Sequence, residues 1–167
     1  FLGDEDLRRE TIAWYRDDCD VYLDMNEIMI TSGGTHAMYL ALCSILNEND
    51  EVIVVAPYYV YYSLQIEMPK GKKVVYNTES ENDFDIDLLQ LEKLITPRTK
   101  AIILNSPCNP SGKVYDPQTI QGVLHLAEKH DFLIIADDIY GALNFTKHHK
   151  PICSYEPARK RVVTVYT

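Results

Sequence analysis

Residues 101–140 read AIILNSPCNPSGKVYDPQTIQGVLHLAEKHDFLIIADDIY and hold two continuously apolar runs, at 101–104 and 132–136. Because apolar residues fill successive positions in each run, both faces are predicted to be covered, as in the strands of a parallel sheet. A helix is predicted between them, since Asp116 can cap it, Pro117 suits the first helical position and apolar residues recur at helical spacing afterwards. The stretch therefore predicts a strand–helix–strand unit of an α/β fold.

Polar residues follow each of these strands directly. The first strand is followed by residues 105–112 (NSPCNPSG), which are typical of a turn and carry two amide side chains, and the second by residues 137–140 (DDIY). The carboxyl ends of parallel strands lie at one edge of a sheet, where open α/β folds bind ligands. These two polar segments are therefore the first candidates for a binding site.

The same patterns predict the remaining elements of a single domain. One domain with an ordinary core is expected from 167 residues, of which 46% are hydrophobic. Three more strands are predicted from apolar runs at residues 52–55, 73–76 and 162–165. Three more helices are predicted: one that opens at residues 3–6, one after Thr35, and one that carries Leu88, Leu91, Leu94 and Ile95.

Composition restricts the classes of partner. The 16 basic and 25 acidic residues give a formal net charge of −9, which argues against nucleic acid or an anionic membrane as the main partner. Cys19, Cys43, Cys108 and Cys153 show neither CxxC pairing nor metal-ligand spacing, so we expect free thiols in a reducing compartment and no metal site. Because the sequence shows no signal peptide and no apolar run of membrane-spanning length, we expect a cytoplasmic protein.

The two polar segments together carry a family resemblance. Residues 105–112, followed after one helix by residues 137–140, resemble the pyridoxal-phosphate-dependent aminotransferases of class I/II, whose form is Asn-Pro-(Thr/Ser)-Gly and then Asp-x-x-Tyr. The resemblance implies the aspartate aminotransferase fold (fold type I), a three-layer α/β/α arrangement with a mostly parallel sheet. Residues 1–167 would then be one domain, an incomplete large domain, and pyridoxal 5'-phosphate would be the cofactor.

Gly33, Gly34 and Thr35 stand between the apolar residues 28–30 and a predicted helix. A Gly-Gly-Thr turn at a helix start offers unpaired backbone N–H groups, a hydroxyl and the positive end of the helix dipole, which together suit a phosphate. An isolated turn of this kind is more often an ordinary capped helix. The resemblance implies the phosphate role, because the family's cofactor-phosphate loop lies at this position.

Four further residues take cofactor-binding roles by the resemblance. Tyr59 would stack on the cofactor ring, although packing alone would also explain the run of tyrosines around it. Asp137 would face the pyridine nitrogen and favour the protonated ring, while its alternative role is a helix cap or a turn residue. Asp138 stands where most relatives have Glu, which leaves open which of the two carboxylates faces inward. Asn109 and Tyr140 would both reach the 3′ oxygen of the cofactor.

Two prolyl bonds are predicted to be cis from the resemblance and from the proline-rich turns. Asn109–Pro110 is the first, and Ala56–Pro57 is a second candidate. The cis form would aim Asn109 and Tyr59 into the site. Because a cis bond is uncommon even before proline, the prediction is easily contradicted.

In the resembled family, the strand predicted at 162–165 leads into a turn with the lysine that forms the Schiff base with the cofactor. We expect the sequence to end before that lysine, so no catalytic residue is assigned and this chain alone is expected to be inactive. The complete protein is expected to be a homodimer that moves an amino group between an amino acid and a 2-oxo acid. Two alternatives stay open: a related lyase or synthase with the same cofactor, and a non-catalytic ligand-sensing domain of a regulator.

Overall fold

A computed structural model describes residues 2–143, 145, 150–156 and 160–167. Among these residues, five strands form one sheet: β1 (Glu51–Ala56), β2 (Lys72–Asn77), β3 (Thr99–Asn105), β4 (Leu133–Asp137) and β5 (Val162–Val165). Five α-helices surround it: α1 (Glu5–Cys19), α2 (Gly34–Ile45), α3 (Tyr62–Glu67), α4 (Leu88–Glu92) and α5 (Pro117–His130). No helix within these described ranges is long and apolar enough to cross a membrane.

The sheet has the strand order β2-β1-β3-β4-β5, and every pairing is parallel. The chain runs outward from β1 to β2 and then returns to place β3 on the other side of β1, so the direction of winding reverses between β1 and β3. In open α/β sheets the crevice outside the carboxyl ends of the strands at such a reversal is the usual ligand site. The register sets Asn105 at the end of β3 opposite Asp137 at the end of β4.

Alternate residues of the strands pack into two separate apolar layers, as the continuous apolar runs predict. On one side Ile102 and Ile134 pack with residues of α4 and α5, and on the other Ile103 and Ile135 pack with residues of α2 and α3. All four isoleucines are buried. The structure is therefore a three-layer α/β/α arrangement around a parallel sheet, and the predicted fold class is confirmed.

Helix α5 shows why the sequence folds this way locally. The Asp116 carboxylate accepts a hydrogen bond from the backbone N–H of Thr119 at 2.7 Å, and Pro117 occupies the first turn. At the other end, Asp131 has a left-handed backbone with φ of 58°, which stops the helix. The predicted cap and helix are both confirmed.

Helix α4 is shorter than predicted. It ends at Glu92, so Leu94 and Ile95 lie beyond its last residue. Pro97 disfavours helical backbone at the residue before it, and the backbone N–H of Thr96 instead donates to the Thr99 hydroxyl at 2.9 Å. Leu94 and Ile95 still pack against the apolar layer, so the apolar pattern was a sound signal of burial.

Candidate functional site

A cavity lies beyond the carboxyl ends of β3 and β4, next to the first turn of α2. Six of the seven residues predicted to bind a cofactor line it: Gly34, Thr35, Tyr59, Asn109, Asp137 and Tyr140. The seventh, Gly33, immediately precedes α2 as its N-terminal capping residue. Segments that are far apart in the sequence therefore meet at the sheet edge where the sequence predicts a site.

The Asp137 carboxylate is the charged group at the base of this cavity. Its side chain is buried, Oδ2 accepts a hydrogen bond from the Tyr62 hydroxyl, and Oδ1 accepts one from the backbone N–H of Ile139 at 3.3 Å. Burial raises the pKa of Asp137; the two hydrogen bonds oppose that effect, and the nearby Asp138 charge adds to it. The charge of Asp137 is therefore only partly compensated by its surroundings.

Both aspartates of the DDIY segment are buried, but they lie in different surroundings. Asp137 lines the cavity, whereas Asp138 is not one of its lining residues and its carboxylate packs beside Gly141. The backbone N–H of Asp138 donates to the carbonyl of Val165 on β5 at 2.9 Å. The question that the sequence left open is answered, because Asp137 is the carboxylate that faces the cavity.

Asn105 joins the two polar segments. Its Nδ2 donates to the backbone carbonyl of Asp137 at 2.8 Å, and its Oδ1 accepts a hydrogen bond from the backbone N–H of Asn109 at 2.7 Å. The Asn109 side chain in turn donates to the Tyr140 hydroxyl at 3.3 Å. Asn109 and Tyr140 therefore reach the same part of the cavity wall, as the prediction that they share one ligand oxygen requires.

Glycines shape the turn before α2. Gly33 has a φ of 83°, a backbone conformation that a residue with a side chain adopts only with strain. A Cβ added to Gly34 would stand 2.7 Å from Cδ1 of Ile139, so the turn packs closely against the segment after β4, and a side chain at this position would require the end of Ile139 to move. The sequence thus brings the predicted phosphate turn against the segment that carries Asp137.

Gln65 is a wall residue that the sequence did not single out. Its side chain is buried, and its Nε2 donates to the backbone carbonyl of Thr35 at 2.8 Å. Its Oε1 is buried and has no hydrogen-bond partner within the part of the chain that the structure describes. A buried acceptor without a donor is costly, so this atom is suited to a donor supplied by water or a ligand.

The aromatic wall centres on Tyr59 and Tyr62. The two rings meet edge to face with centroids 5.6 Å apart, and both line the cavity. The sequence predicted Tyr59 and missed Tyr62, because no local pattern separates Tyr62 from the neighbouring tyrosines. Both predicted cis bonds, Asn109–Pro110 and Ala56–Pro57, are confirmed, and Ser106–Pro107 is cis as well, which was not predicted.

Comparisons with known proteins agree with this geometry. A profile of the family described as aminotransferase class I and II matches residues 1–167. The chain is 35% identical over 147 residues to a probable aspartate aminotransferase of Methanocaldococcus jannaschii, a match that covers 88% of this chain and 39% of that protein. It is also 35% identical over 143 residues to the aspartate aminotransferase of Bacillus subtilis, covering 86% of this chain and 36% of that protein.

Solved structures show the same likeness in three dimensions. The aspartate aminotransferase of Thermus thermophilus with maleate superposes with a TM-score of 0.94 at 33% identity, covering 99% of this chain and 43% of that one. This chain therefore spans about two fifths of the length of the proteins it matches. The family resemblance predicted from residues 105–112 and 137–140 is confirmed. With a family profile that matches its full length, the chain belongs to the aminotransferase class I and II family.

Proposed function

We propose that the complete protein is a pyridoxal-phosphate-dependent aminotransferase and that residues 1–167 are part of its cofactor-binding large domain, ending before the lysine that the family joins to the cofactor. The observation that carries the proposal is the buried Asp137 carboxylate in the cavity. Burial raises the pKa of this group, and its hydrogen bonds come from neutral donors. A cationic ring nitrogen would supply the missing positive charge.

The residues present fit this cofactor. Asp137 offers an acceptor to a protonated ring nitrogen, and the orphaned Oε1 of Gln65 shows that the wall has unmet hydrogen-bonding capacity. The cavity measures about 110 Å³, less than the roughly 300–1,000 Å³ typical of small-molecule sites. This small volume is what one part of a larger site would offer, and the complete protein, which we propose to be a homodimer, would supply the rest.

When bound, pyridoxal phosphate supplies an electron-withdrawing ring that stabilises negative charge on the substrate carbon. Asp137 would hold the proton on the ring nitrogen, because an adjacent carboxylate favours the charged ring. Tyr59 would pack against the ring face. Asn109 and Tyr140 would donate to the 3′ oxygen and fix the ring's rotation.

The phosphate would lie at the turn formed by Gly33, Gly34 and Thr35. The first turn of a 12-residue helix begins here, and the dipole and backbone N–H groups at a helix start favour an anion. Gln65 holds the carbonyl of Thr35 and so fixes the conformation of this turn. A local site of this kind is needed, because the chain as a whole carries a formal charge of −9.

The proposed reaction is transfer of an amino group between an amino acid and a 2-oxo acid, in the cytoplasm. The test is to purify the protein encoded by the complete gene, record the visible spectrum of its bound cofactor, and assay a panel of amino acids with 2-oxoglutarate. Transamination of at least one amino acid is expected. A protein that binds pyridoxal phosphate but only eliminates or condenses substrates would replace the aminotransferase proposal with the lyase or synthase alternative.

The 167-residue polypeptide gives a second test. We expect it to be inactive and, after incubation with pyridoxal phosphate and reduction with borohydride, to carry scattered low-level adducts on surface lysines such as Lys70 and Lys72. Mass spectrometry locates the adducts. Stoichiometric labelling of one lysine within residues 1–167, together with turnover, would show that the lysine joined to the cofactor lies inside this chain.

A further inference from the structure

Tyr62 makes the side-chain hydrogen bond to Asp137 across 75 residues of sequence. Tyr62 is 2% exposed and Asp137 is 5% exposed, so the bond lies in a region from which solvent is largely excluded. Bonds to a charged acceptor in such surroundings are stronger than bonds between neutral groups. The bond therefore contributes to the charge state of Asp137 as well as to packing.

The phenol is suited to act as a permanent donor. Burial, and then the charge of Asp137, raise the pKa of Tyr62, so its hydroxyl keeps its proton over the whole range in which proteins work. Each carboxylate oxygen has two lone pairs. The Tyr62 hydroxyl uses one on Oδ2 and the Ile139 N–H uses one on Oδ1, which leaves acceptor capacity on Asp137 for a ligand in the cavity.

The Tyr62 ring is fixed by its neighbours. It meets the Tyr59 ring edge to face at 5.6 Å and stacks with the Tyr58 ring at 6.5 Å, and its backbone N–H donates to the carbonyl of Tyr59 at 3.1 Å. These contacts involve the ring and the backbone, not the hydroxyl. Replacing Tyr62 with Phe therefore removes the hydrogen bond while it keeps the packing.

We propose that Tyr62 is a positioning residue that holds Asp137 ionised and turned toward the cavity, so that the carboxylate can act on the ring nitrogen of pyridoxal phosphate. The proposal rests on the function proposed above and adds the residue that keeps its central charge in place. Without the phenol, burial acts on Asp137 with one donor fewer, and the carboxyl group takes up a proton more readily. A protonated Asp137 cannot favour the charged ring.

The experiment uses the complete protein and the variant Tyr62→Phe. In the cofactor-free protein, carbon NMR of samples labelled at the aspartate carboxyl gives the pKa of Asp137, with the resonance assigned by its loss in Asp137→Asn. We expect this pKa to rise by about one to two pH units in Tyr62→Phe, since a hydrogen bond to a charged group is lost. With the cofactor bound, we expect kcat to fall on the order of tenfold with little change in KM.

Tyr76→Phe is the matched control. Tyr76 is also buried, and its hydroxyl accepts a hydrogen bond from the backbone N–H of Asp87 at 2.9 Å, outside the cavity. This variant should leave the pKa of Asp137 and kcat unchanged. An unchanged pKa in a folded Tyr62→Phe protein, or an equal change in Tyr76→Phe, would overturn the proposal.

A second variant covers the case in which Tyr62→Phe does not fold. Incorporation of 3-fluorotyrosine at position 62 keeps the hydroxyl and makes it a stronger donor, so the pKa of Asp137 should fall; no change would count against the proposal. The NMR measurement in the cofactor-free protein tests the role of Tyr62 separately from the proposed aminotransferase function. If the wild-type protein does not bind pyridoxal phosphate, the proposed function and the cofactor part of this proposal are both overturned, while the pKa still reports whether Tyr62 sets the ionisation of Asp137.

Discussion

Two buried acidic side chains lie at opposite ends of the same sheet and differ in how their charge is met. Glu51 begins β1 and is 6% exposed, and Asp137 ends β4 and is 5% exposed. Glu51 accepts hydrogen bonds from the Thr96 hydroxyl at 2.5 Å and from two guanidinium nitrogens of Arg98 at 3.1 and 2.9 Å. Asp137, within the described residues, accepts from two neutral donors.

The pKa values of Glu51 and Asp137 shift in opposite directions, because their hydrogen-bond partners differ. The Thr96 hydroxyl, followed by the Arg98 guanidinium, holds the pKa of Glu51 below its ordinary value despite burial. Burial dominates at Asp137 and raises its pKa. Burial alone therefore does not distinguish a structural carboxylate from a functional one. A carboxylate whose partners compensate its charge stabilises the fold, whereas one left partly uncompensated at the mouth of the sheet is a candidate for binding a cation.

The largest expected effect is the loss of activity in Asp137→Asn of the complete protein. The substitution keeps the side chain's size and removes the charge that would act on the ring nitrogen. We expect turnover to fall on the order of 100- to 1,000-fold, while the thermal unfolding temperature of the cofactor-free protein stays the same or rises. Turnover and thermal unfolding are measured on the same preparation. Activity near that of the wild type would remove Asp137 from its proposed role.

Glu51→Gln should show the opposite pattern. It removes the charge that Arg98 and Thr96 compensate, so the free energy of unfolding should fall by about 1.5–3 kcal/mol, while activity per folded molecule is kept. Urea unfolding measures this loss. Glu92→Gln is the control, because Glu92 is more exposed than Glu51 and contacts Lys129 at 2.8 Å and His130 at 2.7 Å, so this variant should lose less stability than Glu51→Gln. Equal losses of unfolding free energy in the two variants would show that the burial of Glu51 does not strengthen its interactions with Arg98 and Thr96.

The smallest effect is a difference in pH dependence, measured in the cofactor-free protein. Because the folded state lowers the pKa of Glu51, its stabilisation is present above the ordinary carboxyl pKa and is lost as pH falls through the folded value. The penalty of Glu51→Gln should therefore shrink in acid. Because the folded state raises the pKa of Asp137, stability falls as pH rises from the ordinary value through the raised one.

Asp137→Asn should accordingly gain stability relative to the wild type as pH rises through that window, and the gain should vanish in acid. Urea unfolding at a series of pH values gives both difference curves. The two curves should differ in sign, with Glu51→Gln below the wild type and Asp137→Asn above it. Curves of the same sign would mean that the two ends of the sheet do not differ as described.

Local signals predicted much of the fold. The apolar runs at 101–104 and 132–136 correspond to β3 and β4, because strands buried on both faces leave a continuous pattern. Asp116 and Pro117 marked the start of α5, because capping acts within one turn. The edge of the sheet that carries the candidate site was predicted from topology, since parallel strands bring their carboxyl ends together.

Side-chain partners that are distant in sequence could not be predicted in this way. The bond between Tyr62 and Asp137 depends on where α3 packs against the sheet, and nothing local distinguishes Tyr62 from the tyrosines beside it. The cluster at Glu51 likewise joins residues that are 45 and 47 positions apart. The roles of Gly33, Gly34, Thr35, Tyr59, Asn109, Asp137 and Tyr140 toward a cofactor stay predictions.

The two hydrogen bonds of the Asn105 side chain also have a consequence for hydrogen–deuterium exchange. Asn109 lies in a turn, where backbone amides normally exchange rapidly, yet its N–H is donated to a side chain that is 7% exposed and anchored to the end of β4. Opening that bond requires the turn to move away from the Asn105 side chain, which its own hydrogen bond holds against the end of β4. The Asn109 amide should therefore exchange more slowly than amides of the same turn that have no such partner, and its protection would report on whether the turn is seated against the cavity.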